Sequence, residues 1–275
     1  MLPIGRRRRA EAVAYLRDGL PDDLLLLDLV SESAQRDTAN TWIQGMGVWE
    51  DDVLVGVGVL RPSVLLDSRI RGAAVEALCG SIDSLPGGLL KSSEAQVEAL
   101  WSRLEVFGHR ALLDRMESGL LVRDSDRKRF PLPSGGRSRL AEDRDLDRLV
   151  EMARASLREE GRPDPGERDP RGFRHWVRSR LPRARVLEFD GEVAFVGYAD
   201  VARAEGWLVQ GVYTMPHWRG QGVGTAGMSA LVDEAVEAGT DHVQLTVIDG
   251  NESALRLYER LGFRPYGRIR TILFS

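Results

Sequence analysis

The sequence predicts a protein of the α/β (α+β) class, built as two mixed domains in which strands alternate with amphipathic helices. Its 275 residues are 43% hydrophobic and 29% charged, typical of a globular protein and enough for two domains of roughly 100–150 residues. A charged segment with prolines and a Gly-Gly pair, residues 123–139, separates two patterned regions, as linkers do. The predicted organisation is a domain over residues 1–130, a linker over 131–138 and a second domain over 139–275.

Composition and charge exclude several classes of protein. Acidic residues (42) outnumber basic residues (38), and the arginines are spread along the chain, so no nucleic-acid partner is expected. No apolar run approaches the roughly 20 residues of a membrane helix, so no membrane partner is expected either. The arginine run at residues 6–9 lacks the apolar region of a secretory signal, and the expected location is cytoplasmic. A single cysteine, Cys79, excludes an internal disulfide and a cysteine-rich metal site, and no metal is expected.

The first region predicts a hairpin, a helix and a closing strand. Residues 42–50 and 53–60 are apolar or alternating runs that flank an Asp-Asp pair, which indicates the hairpin. A helix is predicted over residues 93–107, because apolar residues recur at helical spacing after a Ser-x-x-Gln capping box and Gly108 follows. Residues 120–122 predict the closing strand. No motif in this region carries chemistry.

The second region predicts a longer series of elements. Its helices have apolar residues on one face and end near glycines, and its strands are apolar or alternating. Asp190-Gly191 is typical of a tight hairpin turn. The predicted helices start at Leu146, cover 173–181, run from a glycine-rich turn to Gly239, and cover 254–261; the predicted strands are 185–189, 193–201, 207–214, 242–248 and 263–274.

The glycine-rich turn, Arg219-Gly-Gln-Gly-Val-Gly-Thr225, joins a predicted strand to a predicted amphipathic helix. Glycines let a backbone approach an anion closely, and the unpaired N–H groups at the start of a helix point toward it. The turn therefore predicts a phosphate-binding site. The alternative is a glycine-rich connection that binds nothing.

Two known phosphate-binding motifs, the nucleotide P-loop and the dinucleotide fingerprint, are poor matches to this turn. A nucleotide P-loop needs Gly-Lys-Ser/Thr, and the turn has no lysine. A dinucleotide fingerprint, G-x-G-x-x-G, is matched literally from Gly222 to Gly227, with Asp249 standing 22 residues further on. However, seven residues separate Thr214, where the strand ends, from Gly222. Only 26 residues follow Asp249, too few for the strands that a doubly wound fold still needs.

A third interpretation covers the whole region. The segment from Val212 to Pro216, the pattern Arg219-x-x-Gly222-x-Gly224 and the helix after it resemble the acyl-CoA signature of the GNAT superfamily of N-acetyltransferases. The segment from Asn251 to Phe263 is similar to that family's second characteristic stretch. The resemblance implies a GNAT fold, with a central mixed, mostly antiparallel sheet flanked by helices, preceded by a second, degenerate GNAT-like domain. It also implies acetyl-CoA as co-substrate.

The resemblance implies a role for each residue of these motifs. Backbone groups of residues 212–214 would pair with the pantetheine arm, N–H groups of residues 220–225 would hold the pyrophosphate, and an N–H near Val212 would polarise the thioester oxygen. Tyr258 corresponds to the tyrosine that protonates the departing thiolate. The implied cofactor-binding residues are Val212, Tyr213, Thr214, Arg219, Gly220, Gln221, Gly222, Val223, Gly224, Thr225 and Asn251. Two alternatives stay open: Tyr258 belongs to an apolar helix face, and Asn251 is a helix N-cap.

The general base is not identified by the sequence. Many relatives carry a glutamate on the strand before the turn or on the next strand, where this chain has Gln210-Gly211 and Thr246. Neither position accepts a proton at neutral pH. The nearby candidates are Asp200, Glu205, His217 and Asp249. A water chain, or an amine that arrives neutral, would also serve.

Two functions from different classes follow. The first is transfer of an acetyl group from acetyl-CoA to a primary amine of a small molecule or a protein, by direct attack in a ternary complex. The second is a non-catalytic acyl-CoA-binding sensor or scaffold, suggested by the missing glutamates. The first domain has no comparable turn, so we expect no acyl-CoA site there; it would wall the acceptor pocket or form a dimer surface. Residues 159–171 lie where GNAT proteins often place an acceptor-facing loop, with a solvated loop as the alternative.

Overall fold

The fold is that of a computed structural model, which describes residues 1–32, 45–61, 63–82, 85 and 87–275. The strands in these ranges are β1 (Leu2–Pro3), β2 (Gly45–Glu50), β3 (Val53–Val59), β4 (Val64–Leu66), β5 (Gly88–Ser93), β6 (Ala111–Val122), β7 (Gly136–Leu140), β8 (Ala184–Phe189), β9 (Glu192–Arg203), β10 (Gly206–Thr214), β11 (Val243–Ile248) and β12 (Arg264–Phe274). The helices are α1 (Arg6–Arg17), α2 (Leu24–Glu32), α3 (Gly72–Ile82), α4 (Glu94–Val106), α5 (Leu146–Glu159), α6 (Pro165–Arg168), α7 (Pro170–Ser179), α8 (Val223–Glu237) and α9 (Glu252–Leu261).

The contacts divide the chain into two compact units that are not continuous in sequence. The first unit comprises Met1–Gly119, Thr246–Gly250 and Pro265–Ser275, and the second comprises Leu120–Leu245 and Asn251–Arg264. The last strand belongs to the first unit because β12 pairs antiparallel with β5 from Ile269↔Ser93 to Phe274↔Gly88. The assignment of an acyl-CoA site to residues 139–275 and of a degenerate domain to residues 1–130 stays a prediction.

The first unit contains a mixed sheet in the order β1-β2-β3-β4-β5-β12-β6. The predicted hairpin is present as β2 and β3, paired from Gly45↔Val59 to Glu50↔Val53, while residues 42–44 of the prediction lie outside the described residues. Helices α1 and α2 pack their apolar residues against β3, and α3 and α4 pack theirs into a second cluster with β5 and β12. Both clusters exclude water from side chains such as Leu27 and Leu100, which are fully buried.

The second unit contains a sheet in the order β11-β10-β9-β8-β7, antiparallel except for the parallel pair β10 and β11. Asp190 and Gly191 have positive φ values of 48° and 83°, as the predicted two-residue hairpin turn requires. Helices α5 and α7 cover one face of the sheet with an apolar cluster. Helix α8 covers the other face, where Phe195 of β9 lies against Gly227. The mixed, mostly antiparallel sheet between helices confirms the predicted fold class.

Some elements differ from their predicted limits. Strand β6 begins at Ala111 instead of residue 120, and α1 places the N-terminal arginine run in a helix. Strand β7 begins at Gly136, inside the predicted linker, and pairs with β8 as far as Leu140↔Arg185. Its Gly-Arg-Ser-Arg-Leu sequence is polar because β7 lies at the edge of the sheet, where Arg137 is exposed to solvent and Arg139 forms ion pairs with Asp145 and Glu188. No helix in the described ranges has the length and apolar character needed to cross a membrane.

Candidate functional site

Strand β10 leads into the candidate site and leaves one edge unpaired. It pairs with β9 as far as Thr214↔Phe195, with a bulge between Gln210 and Tyr213 that contains Val212. Its parallel pairing with β11 covers only Trp207↔Val243 and Leu208↔Gln244. Among the described residues, the later part of β10 therefore has no strand on that edge. Its backbone N–H and C=O groups can pair with an extended ligand, as in the addition of a strand to a sheet.

The glycine-rich turn follows β10 and ends in a helix without a side-chain cap. Gly220 and Gly222 have φ values of 74° and 81°, in the left-handed region that favours glycine. A Cβ at either position would meet no described atom within 4 Å, so the space beside the turn is open. Gly222 is the N-cap of α8, whose first intrahelical bond runs from Ala226 N to Gly222 O. The N–H groups of residues 223–225 are thus directed outward at the positive end of a helix dipole, which suits an anion.

The other glycines of this motif serve close packing. A Cβ at Gly224 would lie 3.0 Å from Thr214 Oγ1 and 3.1 Å from Leu257 Cδ1, so this glycine allows β10, α8 and α9 to meet. A Cβ at Gly227 would overlap the ring of Phe195. The literal dinucleotide fingerprint therefore reflects the packing of α8 on an antiparallel sheet, and the doubly wound interpretation is excluded by the strand directions.

Tyr258 lies on α9, next in sequence to Leu257, whose Cδ1 would lie 3.1 Å from a Cβ at Gly224. Its side chain is 6% exposed, its ring centroid lies 5.4 Å from that of Phe263, and burial raises its pKa well above the ordinary value. The phenol is therefore protonated at neutral pH, as a proton donor must be. Asn251 caps this helix, since its Oδ1 accepts from Ala254 N at 3.1 Å. The cap is observed, and a cofactor-binding role for Asn251 stays a prediction.

Arg219 contacts a residue that the sequence did not indicate, Glu159 at the end of α5. Arg219 Nη2 lies 2.9 and 3.0 Å from the two carboxylate oxygens of Glu159, and Arg219 Nε donates to Thr214 O at 2.9 Å. The Tyr213 hydroxyl donates to Glu159 Oε1 at 2.6 Å. Burial, followed by the nearby Glu159 carboxylate, raises the pKa of Tyr213 to about 12. We call Glu159, Tyr213 and Arg219 the Glu159 cluster; no local pattern links residues so far apart in sequence.

Comparison with known proteins shows which family the region around the turn resembles. Residues 146–263 match the model of the acetyltransferase (GNAT) family. This stretch of the chain is similar to GNAT domains. The match starts at the first residue of α5 and ends just before β12, so it includes β10, the turn and α9. Acetyl transfer to an amine, with acetyl-CoA as the donor, is the activity typical of this family.

Curated relatives are similar to this chain over a short stretch. The mouse thialysine N-epsilon-acetyltransferase is 37% identical over 54 residues, which are 20% of this chain and 32% of the relative. The pig enzyme of the same name is 34% identical over 56 residues, 20% of this chain and 33% of the relative. The chain thus spans about a third of the length of the curated relatives it matches.

Solved structures match almost the whole chain in fold. A Drosophila protein superposes with a TM-score of 0.73 at 16% identity, covering 99% of this chain and 97% of its own. A tandem GNAT protein from the clavulanic acid biosynthesis pathway superposes with a TM-score of 0.60 at 14% identity, with the same coverage. The predicted two-domain GNAT fold is confirmed by these similarities, which concern the fold alone.

Each candidate general base has a side-chain partner, an arginine for the three acids and Glu192 for His217. Arg268 hydrogen-bonds Asp249 at 2.6 and 2.8 Å and holds the pKa of that carboxyl below its ordinary value. A carboxylate stabilised in this way is a weak proton acceptor. The candidate bases contact the following partners: Asp200 contacts Arg180, Glu205 contacts Arg203, Asp249 contacts Arg268, and His217 contacts Glu192. None of them is assigned as the base.

Proposed function

We propose that this protein transfers an acetyl group from acetyl-CoA to a primary amine by direct attack in a ternary complex. One observation carries the proposal: the unpaired edge of β10 is followed, after a single 3-10 turn at Pro216–Trp218, by a glycine turn at the uncapped N-terminus of α8. The ligand that suits this arrangement has an extended amide-bearing arm that ends in phosphates. Acetyl-CoA has that shape, and its thioester is at the far end of the arm.

The described residues fit such a ligand without a lysine. The amides of residues 223–225 would hold the pyrophosphate, and the left-handed Gly220 and Gly222 leave the space beside them open. Backbone groups from Val212 to Thr214 would pair with the pantetheine arm. An N–H in the bulge at Val212 would then donate to the thioester oxygen as negative charge develops there.

The acetyl donor supplies a thioester carbonyl carbon that a neutral amine nitrogen can attack. As the new C–N bond forms, the C–S bond breaks and the sulfur leaves with the electron pair. Tyr258 holds the proton that this thiolate takes, and its burial keeps the phenol protonated until that moment. The nitrogen loses a proton to water or to an unassigned base. The similarity to thialysine N-epsilon-acetyltransferases supports a primary amine as acceptor.

A second candidate function is a non-catalytic acyl-CoA sensor or scaffold. It is favoured by the residues at the two family glutamate positions, Gln210-Gly211 and Thr246, and by the ion pairs of the candidate acids Asp200 and Asp249. Both candidates bind acetyl-CoA. Only the enzyme releases free CoA when it is offered an amine.

Thermal unfolding with and without acetyl-CoA tests the binding step. A ligand at 100 times its Kd stabilises the folded state by about 2.7 kcal/mol, which raises the Tm by several degrees. We expect this shift for the natural protein and for Gly239→Glu, and its loss in Gly222→Glu. Gly239 is the matched control because it also has positive φ (81°) and open space, at the opposite end of α8.

A thiol assay with a panel of primary amines then separates the two functions. Release of CoA that depends on the amine supports the acetyltransferase, and binding without release supports the sensor. If acetyl-CoA at millimolar concentration does not shift the Tm of the natural protein, the glycine turn is only a connection and both candidates fail.

A further inference from the structure

The Glu159 cluster lies at the corner where β10 becomes the glycine turn. We propose that Glu159 is a positioning residue for acyl-CoA binding: it holds the Arg219 guanidinium on this corner, so that backbone amides, and not the Arg219 charge, bind the pyrophosphate. The inference rests on the proposed function, because it concerns the same ligand. It assigns a role to a residue outside both family motifs.

The geometry of Arg219 supports this assignment. Its Nη2 contacts both oxygens of Glu159 at 2.9 and 3.0 Å, and its Nε donates to the carbonyl of Thr214, the last residue of β10. Its guanidinium carbon lies 5.1 Å from the centre of the Tyr213 ring. The side chain is thus directed back onto the strand, where hydrogen bonds and a cation–π contact hold it.

Charge leads to the same conclusion. The Glu159 carboxylate neutralises the Arg219 guanidinium at hydrogen-bond distance, so the pair presents little net charge to a phosphate. The anion would therefore meet the helix dipole and the amides of residues 223–225 as its main positive field. A turn without a lysine, and with its arginine already paired, leaves the amides as the groups that hold the phosphates.

The contacts also connect three elements at one point. Glu159 ends α5, Tyr213 lies on β10 with its hydroxyl 2.6 Å from Glu159 Oε1, and Arg219 begins the turn. Loss of any of these three side chains would remove contacts that fix the path of the chain from β10 to Gly220. The amides would then no longer be prearranged, and binding would have to order them again.

Calorimetric titration with CoA tests the proposal on the full chain. The variants are Glu159→Gln, Arg219→Gln and the double variant, which keeps the net charge of the natural protein. We expect each to raise the Kd by the same factor, about tenfold, because each removes the same coupled contact. The salt dependence of the affinity should stay that of the natural protein in the double variant, since the pair presents little net charge to the phosphates whether it is present or replaced.

Glu160→Gln is the matched control, because it removes the same charge one residue later. The Glu160 carboxylate contacts Ser156 and Arg162 instead of Arg219, so CoA affinity should not change. Tyr213→Phe keeps the ring and removes one donor to Glu159, so we expect a smaller loss in the same direction. This variant tests the proposal even where Glu159→Gln fails to fold.

Three results would overturn the proposal. In the first, Glu159→Gln binds CoA as well as the natural protein or more tightly, while Arg219→Gln binds it weakly and with a flatter salt dependence. Arg219 then contacts the phosphates directly, so this inference fails while the proposed function stands. If Tyr213→Phe binds CoA as the natural protein does, the cluster does not position the turn. If the natural protein does not bind CoA at all, the proposed function fails and this inference fails with it.

Discussion

Lys91 Nζ lies 2.7 Å from Glu117 Oε2 inside the first unit, where both side chains are largely buried. Burial opposes ionisation of Glu117. The charge of Lys91 and hydrogen bonds from Lys91, Thr246 and Thr271 nevertheless hold its pKa below the ordinary value. The pair is therefore ionised at neutral pH, and each charge depends on the other.

Removal of one partner of this pair should strongly destabilise the first unit. Lys91→Met leaves a buried carboxylate without its counter-charge, for which the expected loss is about 3–5 kcal/mol in the free energy of unfolding. Denaturant unfolding measures it. Lys128→Met, at the chain's other lysine, is exposed and should change stability by less than about 0.5 kcal/mol. A loss in Lys91→Met no larger than in this control would contradict the prediction.

Asp23 should make stability depend on pH near neutrality. Its side chain is 2% exposed, and burial raises its pKa to about 7 although Ser68 N donates to it at 2.7 Å. The folded state binds the proton more tightly than the unfolded chain, so the free energy of unfolding falls as pH rises from about 4 to about 7 and stays low above that.

Asp23→Asn removes this ionisable group and tests the prediction. The variant should be more stable than the natural protein at pH 8, by on the order of 2–4 kcal/mol, and its stability should change less between pH 4 and pH 7. Thermal unfolding across this pH range measures both. Asp18→Asn, at an exposed acid of the same segment, is the control, and an equal effect there would show that burial of Asp23 is not the cause.

Gly227 should resist substitution because of packing. A methyl group there would overlap the Phe195 ring, so Gly227→Ala should lower the free energy of unfolding by about 1–3 kcal/mol. Gly80→Ala is the matched comparison, since Gly80 lies inside α3 and a Cβ there would meet no described atom within 4 Å. That variant should gain roughly 0.5–1 kcal/mol from the better helix propensity of alanine. Equal effects in denaturant unfolding would refute the packing argument.

Tyr258→Phe should separate catalysis from binding. The ring keeps its packing against Phe263, and the proton donor is lost, so kcat should fall by roughly 10²–10⁴-fold while the Kd for acetyl-CoA stays within about twofold. Steady-state kinetics with an acceptor amine and a calorimetric titration measure the two effects. Because the pKa of Tyr258 is raised, its ionisation should not lower kcat below pH 10. Unchanged kcat would leave Tyr258 as an apolar helix residue only.

Much of the second unit could be predicted because its signals are local. Asp190-Gly191 predicted a turn from the conformations that two residues prefer, and the glycines before α8 predicted the start of a helix. The limits of β6 and β7 could not be predicted in the same way. Their polar residues are stabilised by strand pairing, which depends on partners distant in sequence.

The sequence by itself determined the class of fold, the order of elements after residue 139, the glycine turn and the helix that carries Tyr258. These features depend on the periodicity, the turns and the caps of neighbouring residues. Only the tertiary structure decided that β12 joins the first unit, that Lys91 meets Glu117 and that Glu159 holds Arg219. Each of these contacts joins residues far apart in the chain, and sheet register and helix packing, which no short pattern encodes, bring them together.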